Sequence, residues 1–196
     1  MKSVSVFCGS SMGNQDIFKE EAKKLALYFC ANQIELTYGG SNVGIMKILA
    51  DTMLENGGRV VGVIPQFLVD IEVGHTKLTE LHVVDSMQAR KVLLAKISDA
   101  FIAFPGGIGT LDELFEMMVM TQLRVQDKPI GILNIDGYYD HLLSFLDRAV
   151  ADGFIRKEHR NNLMVSDQIE LLMEKLKGFE PVKMTNWISE IKEESA

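Results

Sequence analysis

One α/β domain, built on a parallel sheet covered by helices on both faces, is what this sequence predicts. Two observations carry the prediction. Short β-rich runs alternate with longer segments of helical period along most of the chain. The runs are apolar on both faces, as strands buried between two helical layers must be. A length of 196 residues suits a single domain. The repeated strand-then-helix order makes it a doubly wound, Rossmann-like fold.

Taken in order, residues 3–8 read as a strand stopped by Gly9. Residues 16–31 carry Ile17, Phe18, Ala22, Leu25, Ala26 and Phe29 on one helical stripe. A second strand, 34–38, closes at Gly39 and Gly40, and a helix over 43–55 meets its stop signal at Asn56-Gly57-Gly58. Strands over 59–64 and 78–84 follow, then a helix over 86–97. The apolar strand 99–104 breaks at Pro105-Gly106-Gly107, and a helix runs from 111 to 123. Residues 129–134 and 139–151 repeat the pattern. A strand at 163–165 and a helix over 167–177 complete a domain bounded at 1–180. Residues 181–196 form a helical tail, with Trp187, Ile188 and Ile191 at helical spacing.

Composition narrows the function. Twenty Lys and Arg against 27 Asp and Glu leave a net charge of −7, which speaks against a nucleic-acid or anionic-membrane surface. It leaves room for a small anion, because backbone N–H groups hold phosphate without any basic side chain. Cys8 and Cys30 are too few for a disulfide framework. No run approaches the ~18 apolar residues of a membrane span, and the start lacks a signal peptide. The expectation is a cytoplasmic protein.

Glycine is concentrated where chemistry belongs in such a fold, at the carboxyl ends of the strands. The turns are Cys8-Gly9-Ser10-Ser11, then Tyr38-Gly39-Gly40-Ser41-Asn42-Val43-Gly44, and Pro105-Gly106-Gly107-Ile108-Gly109-Thr110. Three such turns at one sheet edge present bare N–H groups beside helix N-termini, an arrangement that fits a phosphate. The alternative is that each glycine only permits a tight turn. Thr110-x-x-Glu113 reads either as a capping box or as a carboxylate facing the ligand, with Asp112 turned away by roughly 100° of helix. Arg90 and Lys91 stand in the first turns of a helix, where cations oppose the dipole. They are either ligand-binding groups or solvated surface charges.

Other machineries fail on spacing. Gly39-Gly40-Ser41-Asn42-Val43 lacks the last glycine of a nucleophile elbow. Ile45 follows Gly44 where a P-loop needs lysine, and Asp112 stands where a dinucleotide fingerprint needs its third glycine. His75, His82, His141 and His159 form no His-x-x-x-His pair for zinc. Cys8 reads as a small buried hydrophobe.

The segment Pro105-Gly106-Gly107-Ile108-Gly109-Thr110-Leu111-Asp112-Glu113 resembles the Pro-Gly-Gly-x-Gly-Thr-x-x-Glu signature of the LONELY GUY (LOG) family, long mislabelled as lysine decarboxylases. The likeness runs from Cys8-Gly9-Ser10-Ser11 through Arg90-Lys91 to Lys128-Pro129-Ile130-Gly131 and Asp136-Gly137-Tyr138-Tyr139. It implies a Rossmann-like homodimer, without metal or organic cofactor, that hydrolyses the N-glycosidic bond of a cytokinin-type or purine nucleoside 5′-monophosphate. By the same resemblance Arg90 and Glu113 are the catalytic pair. Glu72, Arg90, Lys91, Gly106, Gly107, Ile108, Gly109 and Thr110 bind substrate, with Gly9, Ser10, Gly39 and Gly40 as candidate phosphate contacts. A general AMP or GMP nucleosidase and a non-catalytic nucleotide sensor are the alternatives. Gln88 in place of His, Ser41 and Lys47 in place of glycines, and Val119 in place of Thr depart from the pattern, and are expected near the pocket.

Overall fold

The computed structural model describes residues 1–71 and 73–181. Glu72 and the predicted tail from 182 onward, Trp187, Ile188 and Ile191 included, lie outside the described residues. The strands are β1 (Ser3–Phe7), β2 (Glu35–Tyr38), β3 (Val60–Pro65), β4 (Glu80–Val84), β5 (Ala100–Ala103), β6 (Ile130–Leu133) and β7 (Leu163–Ser166). They form one seven-stranded sheet in the order β4-β3-β2-β1-β5-β6-β7, parallel throughout.

Alternation along each strand sends side chains to two separate cores. In β1, Val4 and Val6 join one core, where α1 (Asp16–Ala31), α2 (Gly44–Glu55) and α8 (Ile169–Lys177) bury Phe29, Met53 and Leu172. Phe7 faces the other core and stacks on Phe101, with ring centroids 5.9 Å apart. There α4 (Met87–Ile97), α5 (Ile108–Gln122) and α6 (Asp140–Ala151) bury Leu94, Leu114 and Leu146. Two short helices, α3 (Gln66–Asp70) and α7 (Lys157–Asn161), escape sequence reading because one turn is too short to show a period.

Two expectations are corrected. The predicted strand at 78–84 begins at Glu80 and is not apolar on both faces. As an edge strand β4 leaves Leu81 and Val83 exposed. The helix predicted from 111 begins at Ile108, with Gly107 as its extended N-cap. The glycines after Pro105 therefore belong partly to the helix itself.

The chain winds outward from β1 to β4, then returns through α4 to lay β5 on the other side of β1. That reversal opens a crevice at the carboxyl ends of β1 and β5, the place where doubly wound sheets hold ligands.

Candidate active site

The turns after β1 and β5 are locked to each other. The Gly9 N–H donates to Pro105 O at 3.2 Å, and the Ile45 N–H donates to Gly9 O at 3.1 Å. Gly44 has φ +57°, and a β-carbon there would lie 2.3 Å from the Ser10 carbonyl carbon, so only glycine lets α2 start against this turn. A β-carbon at Gly106 would lie 2.1 Å from Thr110 Oγ1. Tyr138 donates its hydroxyl to Gly106 O at 2.6 Å, and Tyr139 donates to Phe104 O at 2.8 Å. The peptide entering α5 is thus held from both sides. At Gly107 and Gly109 an added β-carbon would meet nothing within 4 Å. The N-cap, Gly107, has no side chain to cap the helix. Gly107, Ile108 and Gly109 are exposed, at a helix start whose N–H groups carry partial positive charge.

Beside that helix start lies the Arg90–Glu113 pair. Ser86 caps α4 by accepting the Ala89 N–H at 3.1 Å, which sets Arg90 one turn inside the helix. Arg90 Nε donates to Val63 O at 3.1 Å, and Nη1 lies 2.8 Å from Glu113 Oε1. Both residues are buried, Arg90 to 8% exposure and Glu113 to 6%. Burial pushes the Glu113 carboxyl above the usual carboxylate range, against the opposing pull of Arg90. Since α5 starts at Ile108, Thr110 is its third residue and Glu113 its sixth. The capping-box alternative is therefore overturned: Glu113 reaches Arg90, and Thr110 Oγ1 is buried without a hydrogen-bond partner among the described residues. Cys8 lies nearby, its thiol pushed up first by burial and then by the charge of Glu113. It stays protonated and inert, as the sequence reading has it.

These groups open on a cavity of about 380 Å³. Its polar lining comprises Arg90, Glu113, Thr110, Ser10, Ser41 and the backbone from Gly107 to Gly109, with Gly9 and Ile108 beside them. Its apolar lining is Cys8, Val43, Met46, Leu68, Ile71 and Val73. A second pocket of about 290 Å³ shares Gly9, Ser10 and Gly107 with the first, and is walled by Gly106, Phe18 and Tyr138. Volumes of this size admit small organic ligands.

Not every predicted site residue lies here. Gly39 and Gly40 are buried behind the cavity rather than lining it. Lys91 turns its ammonium to Asp112 at 3.0 Å and to Glu116, joining α4 to α5. Glu72 is outside the described residues. Of the departures expected near the pocket, Ser41 lines it, while Lys47 pairs with Asp51 and Gln88 bonds Glu116. Val119 stands on a separate apolar pocket with His159. Sequence reasoning did not find Leu68, Ile71 and Val73, because the one-turn helix α3 and the short segment after it are too brief to carry a periodic signal.

Fold and crevice together define a class: doubly wound α/β proteins whose ligand crevice, at the switch point beside β1, sets a buried carboxylate–guanidinium pair beside an exposed helix start. The particular family is shown by comparison. The family model described as "Possible lysine decarboxylase" matches residues 46–176, and the chain belongs to that family, the LOG family. The Arabidopsis thaliana cytokinin riboside 5′-monophosphate phosphoribohydrolase LOG5 is 42% identical over 181 residues, covering 92% of this chain and 79% of that protein. The probable rice enzyme LOGL2 (Oryza sativa subsp. japonica), of the same name, is 43% identical over 180 residues, covering 92% and 74%. Among solved structures, the molybdenum cofactor binding protein of Rippkaea orientalis superposes with a TM-score of 0.67 at 22% identity, covering 90% and 95%. The Moco carrier protein of Chlamydomonas reinhardtii superposes with a TM-score of 0.64 at 18% identity, over 90% and 95%. At those identities the likeness is one of fold.

Proposed function

We propose that this protein hydrolyses the N-glycosidic bond of a cytokinin-type or purine nucleoside 5′-monophosphate, releasing the free base and ribose 5-phosphate. The carrying observation is the buried Glu113–Arg90 pair, which opens on a cavity floored by the uncapped start of α5. The names of the curated relatives support the same reaction.

In this reading the 5′-phosphate sits against the N–H groups of Gly107, Ile108, Gly109 and Thr110, with Gly106 and Gly9 holding the turn and Ser10 at its edge. Binding the phosphate there converts remote binding energy into orientation of the ribose over Glu113. As the bond from C1′ to the base nitrogen breaks, positive charge develops on the ribose ring. The Glu113 carboxylate stabilises that charge and takes a proton from the attacking water. The hydroxyl bonds to C1′, the base nitrogen leaves with the bonding pair, and the proton taken up by Glu113 is passed on to it. Arg90 holds Glu113 in place and assists the departing base. Lys91 adds positive charge beside α5, and Glu72 completes the substrate-binding set.

Decarboxylation, the chemistry in the family description, would call for a lysine amine in the cavity to hold pyridoxal phosphate as a Schiff base. Among the described residues no lysine lines the cavity. The residues present do not fit that group.

We further propose that the protein acts as a homodimer in the cytoplasm and binds neither nucleic acid nor membrane. The homodimer is what the resemblance to the LOG family implies, and the net charge of −7 supports the absence of nucleic-acid and anionic-membrane partners. Among the described residues no helix is long and apolar enough to cross a membrane.

The test is incubation with AMP, GMP and N6-substituted adenosine monophosphates, with chromatography of the released base and assay of ribose 5-phosphate. Base and sugar phosphate in equal amounts are expected. Tight nucleotide binding with neither product would reassign the protein as a sensor.

A further inference from the structure

One wall of the cavity, carrying Leu68, Ile71 and Val73, is held by side chains that belong to none of the glycine turns. After α3 the chain returns beside the turn that follows β2. The His75 N–H donates to Gly40 O at 2.9 Å, the Asn42 N–H donates to Val73 O at 2.7 Å, and Ser41 and Gly74 pair between them as an antiparallel bridge. The His75 side chain, 3% exposed, extends from this strip toward α2. The Lys77 amide, 3.2 Å from His75 Nδ1, can only donate. Nδ1 is therefore the acceptor, and the proton sits on Nε2. It is donated to Asp51 Oδ1 at 3.0 Å. The other Asp51 oxygen takes Lys47 at 2.7 Å, and the Lys47 ammonium also donates to Asn42 Oδ1 at 3.1 Å. The ring of contacts closes on the strip where it began. Burial opposes ionisation of Asp51, and the hydrogen bonds from Lys47 and His75 outweigh it and hold the carboxyl below its usual range.

Lys47 stands where the resemblance expects glycine, so this chain has a charged tie at a position that would otherwise carry no side chain. Given the proposed reaction, phosphate and ribose occupy the α5 start and Glu113. The apolar wall is left for the base.

We propose that Lys47, Asp51 and His75 are positioning residues: a latch that holds the wall of Leu68, Ile71 and Val73 against α2 and thereby sets the affinity for substrate. They touch no reacting atom. Their loss falls on binding, and the chemistry at Glu113 is spared.

Steady-state kinetics of His75→Ala and Lys47→Met test this, with thermal unfolding monitored in parallel. Each is expected to raise KM for the nucleoside monophosphate roughly tenfold while kcat stays within about twofold. His75→Gln, whose amide N–H still reaches Asp51, is expected to recover most of the loss. Unchanged KM, or a fall in kcat that tracks lost folding and is not rescued by His75→Gln, overturns the latch. The proposal rests on the reading of the site given above, and the two fail separately. A wild-type protein that releases no base ends that reading, whereas the latch is then judged by amide hydrogen exchange. His75→Ala is expected to speed exchange at the Asn42 amide about tenfold or more, with β1 and β5 unaffected. Unchanged protection at Asn42 overturns it.

Discussion

The guanidinium of Arg90 occupies the space that a side chain at residue 39 would need. A β-carbon built on Gly39 would lie 2.0 Å from Arg90 Nη2 and 3.2 Å from the Met46 sulfur. Real β-carbons do not approach other atoms so closely. Glycine at 39 thus leaves room for the guanidinium of the ion pair on α4 and α5, and its own backbone conformation needs no glycine.

Gly39→Ala is therefore expected to act as an active-site mutation although it adds only a methyl group. Displacing Arg90 breaks its contacts with Val63 O and Glu113, and kcat/KM should fall on the order of a hundredfold or more, as for misplaced catalytic groups. Kinetics with a thermal melt check this. Wild-type kcat/KM would mean that the guanidinium moves aside without cost.

Glu113 supplies the pH test. Its carboxyl is pushed above the usual range by burial, so the ionised form is lost at a higher pH than for an exposed glutamate. The reaction needs that ionised form. Activity should therefore fall on acidification through a limb lying above the ordinary glutamate value of about 4.3. Glu113→Gln should abolish turnover while leaving nucleotide binding measurable by calorimetry. Near-normal hydrolysis by this variant would remove Glu113 from the mechanism.

Arg90→Ala leaves a buried carboxylate without its partner, and such losses cost about 3–5 kcal/mol. Chemical denaturation should show a corresponding drop in unfolding free energy. Arg90→Lys is not a conservative repair. An ammonium cannot hold Val63 O and Glu113 in the same planar fork, and activity should remain low even where stability returns.

Lys91→Ala separates two roles. Its pairing with Asp112 and Glu116 makes it a tie between α4 and α5, with its own side chain only 11% exposed, and loss of charge-assisted hydrogen bonds of this kind costs about 1.5–3 kcal/mol. If that is its whole role, KM for the nucleotide stays within about twofold of wild type. A clear rise in KM, with unchanged stability, would place its charge at the phosphate.

Much of the fold was legible because its signals are local. The alternation of Val4 and Val6 in β1 and the stripe of Phe18, Ala22, Leu25 and Phe29 in α1 are periods within one element. The turn from Pro105 to Gly109 and the acid at Glu113 were readable as one continuous segment. Gly39 was singled out as a candidate phosphate contact, and its nearest side-chain neighbour belongs to a distant helix. That neighbour is the guanidinium of Arg90, arriving from α4, which no local pattern around Gly39 announces. The exposed face of β4 was misread, because whether a strand is central or at the edge is not written in its own residues.

By itself, then, the amino-acid order determined the succession of strands and helices, the turns at their carboxyl ends and the acid that follows the last of them. Tertiary structure alone decided that Arg90 meets Glu113 above Gly39, that Lys91 faces Asp112 and Glu116, and that His75 closes on Asp51. The reason is physical. Hydrophobic periodicity and turn chemistry act between neighbours along the chain, whereas these pairings depend on how the sheet order brings distant strand ends and helix starts to one edge.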